Sequence, residues 1–485
     1  MSSQSAANYL VAALNSAGVR RFFIAPGSRS QALVIAAAKL EEAGLASCTV
    51  RLDERSLGFT ALGSALATGE PAAVIVTSGT AVGNLMPAVL EAHHSRVPLI
   101  LITADRPARL RGTGANQTLE MQSGIFGFAA EAIDLAVGST ETELRNAAER
   151  ATSTAGPIQL NLQLDLPLSS NEVALPEVSM QTSTKAASKQ AEVDVPIDNS
   201  MVVIAGAGGK AAVEFAEQAK LPLVAEPNSG ARAGSSAVQF ALDALEQNKS
   251  AIKRVAIFGR PTLSRAVQHL IATAEIWLDE SALQAGFRPL ANIAGQGKLI
   301  PVGSADLSWQ NRFGTSRELS LREEFVSRVW DKSDRLVLGA SDLIRDLDQV
   351  ARPKELEVYA NRGLSGIDGT ISTALGIALE RGETNLLVGD LTLLHDAAGL
   401  NLTDLGRPPL RIVVGNDQGG HIFTRLEIAN EIDARDLERF FVTPQQVDLA
   451  QLAAAYGWNY VSCATLSELE SALSQPGPVI IDYQL

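Results

Sequence analysis

The chain has 485 residues, 46% of them hydrophobic, with 39 glycines and 20 prolines, which suits a globular α/β protein of two to four domains. Its 54 acidic and 40 basic residues leave a net charge of −14 with no basic block, which argues against non-specific nucleic-acid binding. No apolar run approaches the roughly 18 residues of a membrane span. The opening stretch, MSSQSAANYLVAALNSAG, reads as an amphipathic helix rather than a signal peptide. The two cysteines, Cys48 and Cys463, lack metal-ligand spacing, so a reducing cytoplasm is the expected location.

In chain order, the pattern predicts a strand at 21–25, a turn at Pro26-Gly27-Ser28-Arg29-Ser30 and a helix at 31–42. A strand at 48–52 then leads into a helix opening at Asp53-Glu54-Arg55. A third strand at 72–76 is followed by Thr77-Ser78-Gly79-Thr80 and a helix reaching His93. A fourth, 98–103, ends at Ala104-Asp105-Arg106-Pro107. Strands closed by short polar turns and followed by helices make a doubly wound parallel sheet, whose ligands sit at the carboxyl ends of the strands.

Periodicity fades from about residue 171. It restarts with MVVIAG, LPLVAE, VAIFGR and AEIWLD, and again, after a connecting helix at 317–330, with LVLGA, EVYAN, LLVGD, LRIVVG and PVIIDYQL. The expected organisation is three doubly wound α/β domains: 1–180, then a linker at 181–198, a central domain at 199–330 and a C-terminal domain at 331–485.

The stretch 386–423 carries the most chemistry. One apolar run stops at Gly389-Asp390, and a second stops at Gly415-Asn416-Asp417 before Gly419-Gly420. Two buried strands that each end in glycine and a short oxygen-bearing side chain suit a Mg²⁺–diphosphate site, since Mg²⁺ takes one or two carboxylates plus phosphate oxygens. Glycine lets the backbone approach those phosphates. Asp390 and Asp417 lie 27 positions apart, enough for one parallel crossover. Taken alone, the same residues also fit two ordinary α/β loops.

This stretch resembles the thiamin-diphosphate motif. By that resemblance Asp390, Asp417 and the Gly419 carbonyl hold Mg²⁺, with Mn²⁺ as a substitute, and Gly389, Leu391 and Gly420 border the diphosphate. Where the usual motif reads GDG…NN this chain reads GDL…ND, which keeps an oxygen ligand and adds a negative charge.

Eight motifs in register, PGSRS (26–30), DERSLGF (53–59), TSGTAVGNL (77–85), ADRP (104–107), GANQ (114–117), ANRGLSGIDG (360–369), GDLTLLHD (389–396) and NDQGGHIF (416–423), resemble the 2-succinyl-5-enolpyruvyl-6-hydroxy-3-cyclohexene-1-carboxylate synthase family of thiamin-diphosphate enzymes. The resemblance covers both outer domains and is weak in the central one. It implies ThDP-dependent decarboxylation of 2-oxoglutarate and 1,4-addition of the succinyl unit to isochorismate in menaquinone biosynthesis. The cofactor acts as the electron sink.

It further implies that Glu54 is the catalytic carboxylate that activates the cofactor's pyrimidine ring, reaching the cofactor of another subunit in a homo-oligomer. Ser78, Gly79, Ile367 and Phe423 fall to the cofactor, Ile367 as the wedge between its two rings. Both substrates are dicarboxylates, which fixed guanidinium groups pair well. The resemblance gives Ser28, Arg29, Arg106, Asn116, Gln117, Ser341, Arg345 and Arg362 to substrate, with Ser341 and Arg345 on one helix face.

From the residues alone, Glu54 is equally a helix-start carboxylate. A different ThDP decarboxylase, an acetolactate synthase-like carboligase and a non-catalytic scaffold stay open as alternatives. His93, His94, His395 and His421 read as structural. Ala205-Gly206-Ala207-Gly208-Gly209 is a poor dinucleotide fingerprint.

Overall fold

The computed structural model describes residues 1–170, 174–178, 191–290 and 292–485. Three six-stranded parallel sheets are present among them. The first holds β1 (Arg21–Ile24), β2 (Ser47–Val50), β3 (Ala72–Val76), β4 (Leu99–Asp105), β5 (Glu131–Leu135) and β6 (Ile158–Gln163). The second holds β7 (Glu192–Pro196), β8 (Met201–Ala205), β9 (Leu223–Ala225), β10 (Arg254–Phe258), β11 (Glu275–Asp279) and β12 (Ile293–Val302). The third holds β13 (Arg335–Leu338), β14 (Glu357–Ala360), β15 (Thr384–Gly389), β16 (Leu410–Asn416), β17 (Asn459–Cys463) and β18 (Val479–Gln484).

The first sheet runs β2-β1-β3-β4-β6-β5 and the third runs β14-β13-β15-β16-β18-β17, the same order. The second runs β7-β12-β11-β10-β8-β9. Central strands such as β3 (AAVIV) and β8 (MVVIA) are buried throughout, as parallel strands covered on both faces must be. In the first and third sheets the chain reverses its winding direction between β1 and β3 and between β13 and β15. Crevices outside the carboxyl ends open at such points.

Compactness divides the chain into two units. One comprises Met1–Ala186 with Asp368–Gly382 and His395–Pro409; the other comprises Ala187–Ile367 with Glu383–Leu394 and Leu410–Leu485. The central and third sheets thus share a unit, and two segments from the expected C-terminal domain belong with the first sheet. Of the expected linker, 181–190 lies outside the described residues, whereas Glu192–Pro196 is an edge strand paired with β12. A short strand with alternating exposure carries little apolar signal, which is why composition alone reads it as linker.

In the first unit, one core of Leu10, Leu14, Leu33, Ile100 and Leu160 and another of Leu57, Phe59, Leu62, Val74 and Val89 sandwich the sheet. The helix Glu54–Thr68 starts at Asp53, whose side chain caps the Ser56 amide, and it packs against the helix Thr370–Arg381. That crossing is built on glycine. A Cβ on Gly63 would stand 2.1 Å from the Thr373 carbonyl oxygen, and one on Gly376 would stand 2.1 Å from that of Thr60. Arg51, buried beside the crossing, donates to Thr60 Oγ1 at 2.7 Å and to the Gly399 carbonyl at 2.9 Å.

In the second unit, Phe325 and Trp330 on the helix Leu321–Lys332 pack with Leu336, Leu347, Val413 and Tyr483. Phe325 and Tyr483 stack with centroids 4.6 Å apart. The helix begins with a reciprocal capping box between Ser320 and Glu323, which fixes the direction of its first turn.

Candidate active site

The parallel register pairs Gly389 with Gly415, so Asp390 and Asn416-Asp417 emerge side by side at the carboxyl edge of the third sheet. They border a cavity of about 320 Å³ lined by Ser341, Asp342, Arg345, Ile367, Gly389, Asp390, Leu391, Asp417, Gly419, Gly420, His421 and Phe423, among others. Ten of the residues expected at the cofactor, metal or substrate therefore face one space within one unit: Ser341, Arg345, Ile367, Gly389, Asp390, Leu391, Asp417, Gly419, Gly420 and Phe423.

Asp390 is buried at the first residue of the helix Asp390–His395. Burial first, and the nearby charge of Asp417 second, push its carboxyl up to about 6. The loop beyond β16 is packed tightly. Gly419 has φ +151, and a Cβ there would lie 2.8 Å from the carbonyl oxygen of Val442. The Gly420 amide donates to that same oxygen at 2.7 Å. Phe423 meets Phe441 edge to face at 5.5 Å.

Asp417 has one strong partner, Arg322, whose Nη1 donates to Oδ2 at 2.8 Å. The same guanidinium donates through Nε to Asp346 at 2.7 Å and through Nη2 to Asp342 at 2.8 Å. On the other side, Asn416 donates to Asp482 at 3.0 Å, and Asp482 also accepts from the Tyr460 hydroxyl at 2.7 Å.

Among the described residues no cluster of three or more His, Cys, Asp or Glu has metal-holding geometry. A cation here would rely on Asp390, Asp417, a backbone carbonyl and the oxygens of a bound phosphate. Mg²⁺ uses that kind of donor set, and two like charges sharing a cavity would be relieved by it. The Gly419 carbonyl accepts from the His421 amide at 3.0 Å and keeps a second lone pair.

At the edge of the first sheet, Glu54 opens its helix half-buried, and its Oε2 accepts from Asn84 at 3.0 Å. The β1 and β3 turns touch: a Cβ on Gly27 would come 2.4 Å from Thr77 Cβ. Arg106 is buried, and its Nη1 donates to Ser78 Oγ at 2.6 Å and to the Gln117 carbonyl at 2.7 Å. Arg29 donates to the Leu164 carbonyl at 3.0 Å, while its Nε is buried without a hydrogen-bond partner. Burial, and then the charge of Arg106, lower the Arg29 pKa. Two guanidiniums that repel one another and keep an unused donor are poised for an anion. Ser28 and Asn116 are exposed beside them.

Ser78 and Gln117 have structural duties not foreseen for them. The Ser78 hydroxyl is fully buried between Arg106 and the Gln117 carbonyl, and the Gln117 amide group donates to the Ser78 carbonyl at 2.9 Å. Gly79, at φ +77, donates its amide to Gln122 at 3.0 Å.

The segment 4–125 matches the family model described as "Thiamine pyrophosphate enzyme, N-terminal TPP binding domain". Over nearly its whole length the chain is similar to curated 2-succinyl-5-enolpyruvyl-6-hydroxy-3-cyclohexene-1-carboxylate synthases. That of Renibacterium salmoninarum is 42% identical, covering 98% of this chain and 92% of the relative. That of Paenarthrobacter aurescens is 40% identical over 100% and 94%, and that of Leifsonia xyli subsp. xyli is 40% identical over 96% and 93%. The chain belongs to this synthase family. It is thereby a ThDP-type enzyme, and its three parallel sheets are that fold.

Other residues singled out from the sequence have local surroundings that differ from expectation. Arg362 is buried, is not among the residues lining the cavity, and donates to the Thr262 carbonyl and hydroxyl at 3.2 and 3.1 Å. Ser341 precedes its helix, which starts at Leu343, so its carbonyl rather than its side chain meets the Arg345 guanidinium. The glycines of the 205–209 stretch answer a packing need: a Cβ on Gly206 would strike the Arg260–Pro261 peptide at 2.1 Å. His395 is exposed, and its carbonyl accepts from Arg55 at 3.0 Å.

Sequence reading missed the Arg322 cage, because Arg322 sits in an otherwise ordinary amphipathic helix. It also missed Gln122, which is fully buried and lies in a loop without periodicity. Among the described residues no helix is long and apolar enough to cross a membrane.

Proposed function

We propose that this chain decarboxylates 2-oxoglutarate and adds the resulting succinyl unit to isochorismate, yielding 2-succinyl-5-enolpyruvyl-6-hydroxy-3-cyclohexene-1-carboxylate and carbon dioxide for menaquinone biosynthesis in the cytoplasm. The observation that carries the reading is near-full-length identity of about 40% to synthases of that name. It is supported by Asp390 and Asp417 meeting at one cavity edge.

Asp390, Asp417 and the Gly419 carbonyl would hold Mg²⁺, or Mn²⁺ in its place, against the diphosphate. Bound thiamin diphosphate supplies the electron sink for decarboxylation. Ile367 and Phe423 give the cavity its apolar wall and exclude water. Glu54 holds a carboxylate at the start of its helix, oriented by Asn84, where it can share a proton with a pyrimidine nitrogen. Glu54 serves the cofactor of a second copy of the chain, so the working form is at least a homodimer. Arg29 and Arg106 bind a substrate carboxylate, their distance from one another fixed by Ser78, Gln117 and Leu164. Arg345 provides a further cation at the cavity of the second unit.

The test is a reconstituted assay with protein, ThDP, Mg²⁺ and 2-oxoglutarate, with and without isochorismate. Isochorismate consumption that requires every component is expected. Carbon dioxide release without isochorismate loss would instead assign the chain to the simple 2-oxo-acid decarboxylases, and pyruvate accepted as donor would assign it to the carboligases.

A further inference from the structure

Arg322 has no part in the chemistry set out above, yet it lines the cavity and its guanidinium meets three carboxylates. Each of its three nitrogens reaches a different carboxylate: Nε reaches Asp346, Nη1 reaches Asp417 and Nη2 reaches Asp342, all within 2.7–2.8 Å. Arg425 braces the far side, donating to Asp346 at 2.7 Å and to Asp342 at 3.5 Å. Asp342 and Asp346 are buried, so their charges depend on these two cations. Asp342 immediately precedes the helix Leu343–Val350 without a side-chain capping hydrogen bond, which leaves its carboxylate to the guanidiniums, and Ser341 and Arg345 lie on either side of that start. Arg322 itself stands in the capped first turn of a helix anchored in the core by Phe325 and Trp330.

The arrangement has two consequences. A carboxylate with one oxygen tied to a guanidinium cannot rotate freely, so its second oxygen keeps a fixed direction. The same guanidinium also joins the loop after β16 to the segment after β13, although 75 positions separate Asp342 from Asp417. Only arginine, with a planar fork of five donors, can bridge three carboxylates in this way.

We propose that Arg322 is a positioning residue of the metal–diphosphate site. It fixes Asp417 with one oxygen turned toward the cavity and holds that oxygen in register with the Ser341–Arg345 segment, where a substrate carboxylate binds. The proposal rests on the reading of Asp390 and Asp417 as cation ligands. It assigns the added negative charge of Asp417 a specific counter-charge.

The experiment measures ThDP binding to the full-length protein by isothermal titration at saturating Mg²⁺, in the absence of substrate. Arg322→Met is measured in the native background and in an Asp417→Asn background. Asparagine offers a ligand oxygen but no charge to be balanced. The expected result is a loss of at least tenfold in ThDP affinity from Arg322→Met in the native background, and a loss of under threefold in the Asp417→Asn background. Equal losses in the two backgrounds would mean that Arg322 acts only through general folding, and the proposal falls. Tighter binding in Arg322→Met would also overturn it, because Arg322 would then be occupying the cation's own place. If Arg322→Met does not fold, Arg322→Lys, which keeps the charge but reaches fewer carboxylates, is expected to show the same background dependence. Failure of the unmodified protein to bind ThDP with Mg²⁺ would sink the metal-site reading itself, a result distinct from the others.

Discussion

Gly63→Ala tests how the helix bearing Glu54 is held. The added methyl would begin 2.1 Å from the Thr373 carbonyl oxygen, whereas ordinary van der Waals contact starts at 3.4 Å. The two helices must separate by about 1.3 Å, and a backbone carbonyl cannot swing aside as a long side chain can. Neighbouring contacts oppose the movement: Gly376 lies equally close to Thr60, and Gly369 sits against the Phe59 ring. Overpacking of this kind typically destabilises by about 1–3 kcal/mol. For a cooperative unit of about 200 residues that lowers Tm by roughly 2–12 °C. Scanning calorimetry of the variant against Gly83→Ala provides the control. Gly83 is a helical glycine of the same unit with open space around its Cβ position. Alanine there should leave Tm unchanged or raise it, since alanine exceeds glycine in helix propensity by about 1 kcal/mol. Equal Tm values for Gly63→Ala and the unmodified protein would refute the account of the crossing.

Further outcomes follow from the two sites. Arg29→Met and Arg106→Met should each lower kcat/KM for substrate by about 10- to 150-fold, the worth of a charged hydrogen bond of about 1.5–3 kcal/mol, without altering ThDP affinity. Asp390→Ala should abolish Mg²⁺-dependent ThDP binding by titration calorimetry while leaving the fold intact by circular dichroism. Glu226 is deeply buried, accepts the Thr262 and Leu263 amides at 2.6 Å, and is pushed up to about 8 by burial and then by Asp348. The unfolded chain ionises this carboxyl near pH 4.5 while the folded chain keeps it protonated to about 8. Its contribution to stability is therefore fully present below pH 4.5, is lost as pH rises through about 8, and is then gone. Urea denaturation should show the native protein losing stability relative to Glu226→Gln between pH 5 and pH 8, and parallel curves would refute the assignment.

That residues of the third sheet would gather at one edge cavity was legible because they are contiguous with strand ends. An apolar run stopping at Gly389-Asp390 places a carboxylate at a sheet edge whatever the rest of the chain does. The parallel architecture was legible for the same reason. Side-chain occupation was not. Ser78 and Gln117 stand in suggestive turns, but whether the Ser78 hydroxyl meets a ligand or a guanidinium depends on residues 28 and 39 positions further along the chain. Arg362 follows a strand as expected and then turns inward to Thr262, because a buried carboxylate, Glu226, lies on that side. The edge strand Glu192–Pro196 and the Arg322 cage were hidden for a common reason: each acquires meaning only from partners about 20 to 110 residues distant.

The packing of Thr370–Arg381 onto Glu54–Thr68 also bears on how the chain is made. The first sheet is translated within about the first third of the sequence, but the helix that covers the Gly63 face of Glu54–Thr68 is synthesised about 300 residues after that helix and about 200 after the sheet. Throughout that interval the nascent first unit presents an uncovered stripe of small residues, and closing so long a loop is entropically slow. Chains truncated before residue 368 should therefore accumulate as aggregation-prone or chaperone-bound species although every strand of the first sheet is already present. The order of synthesis leaves the helix bearing Glu54 among the last parts of the first unit to be secured.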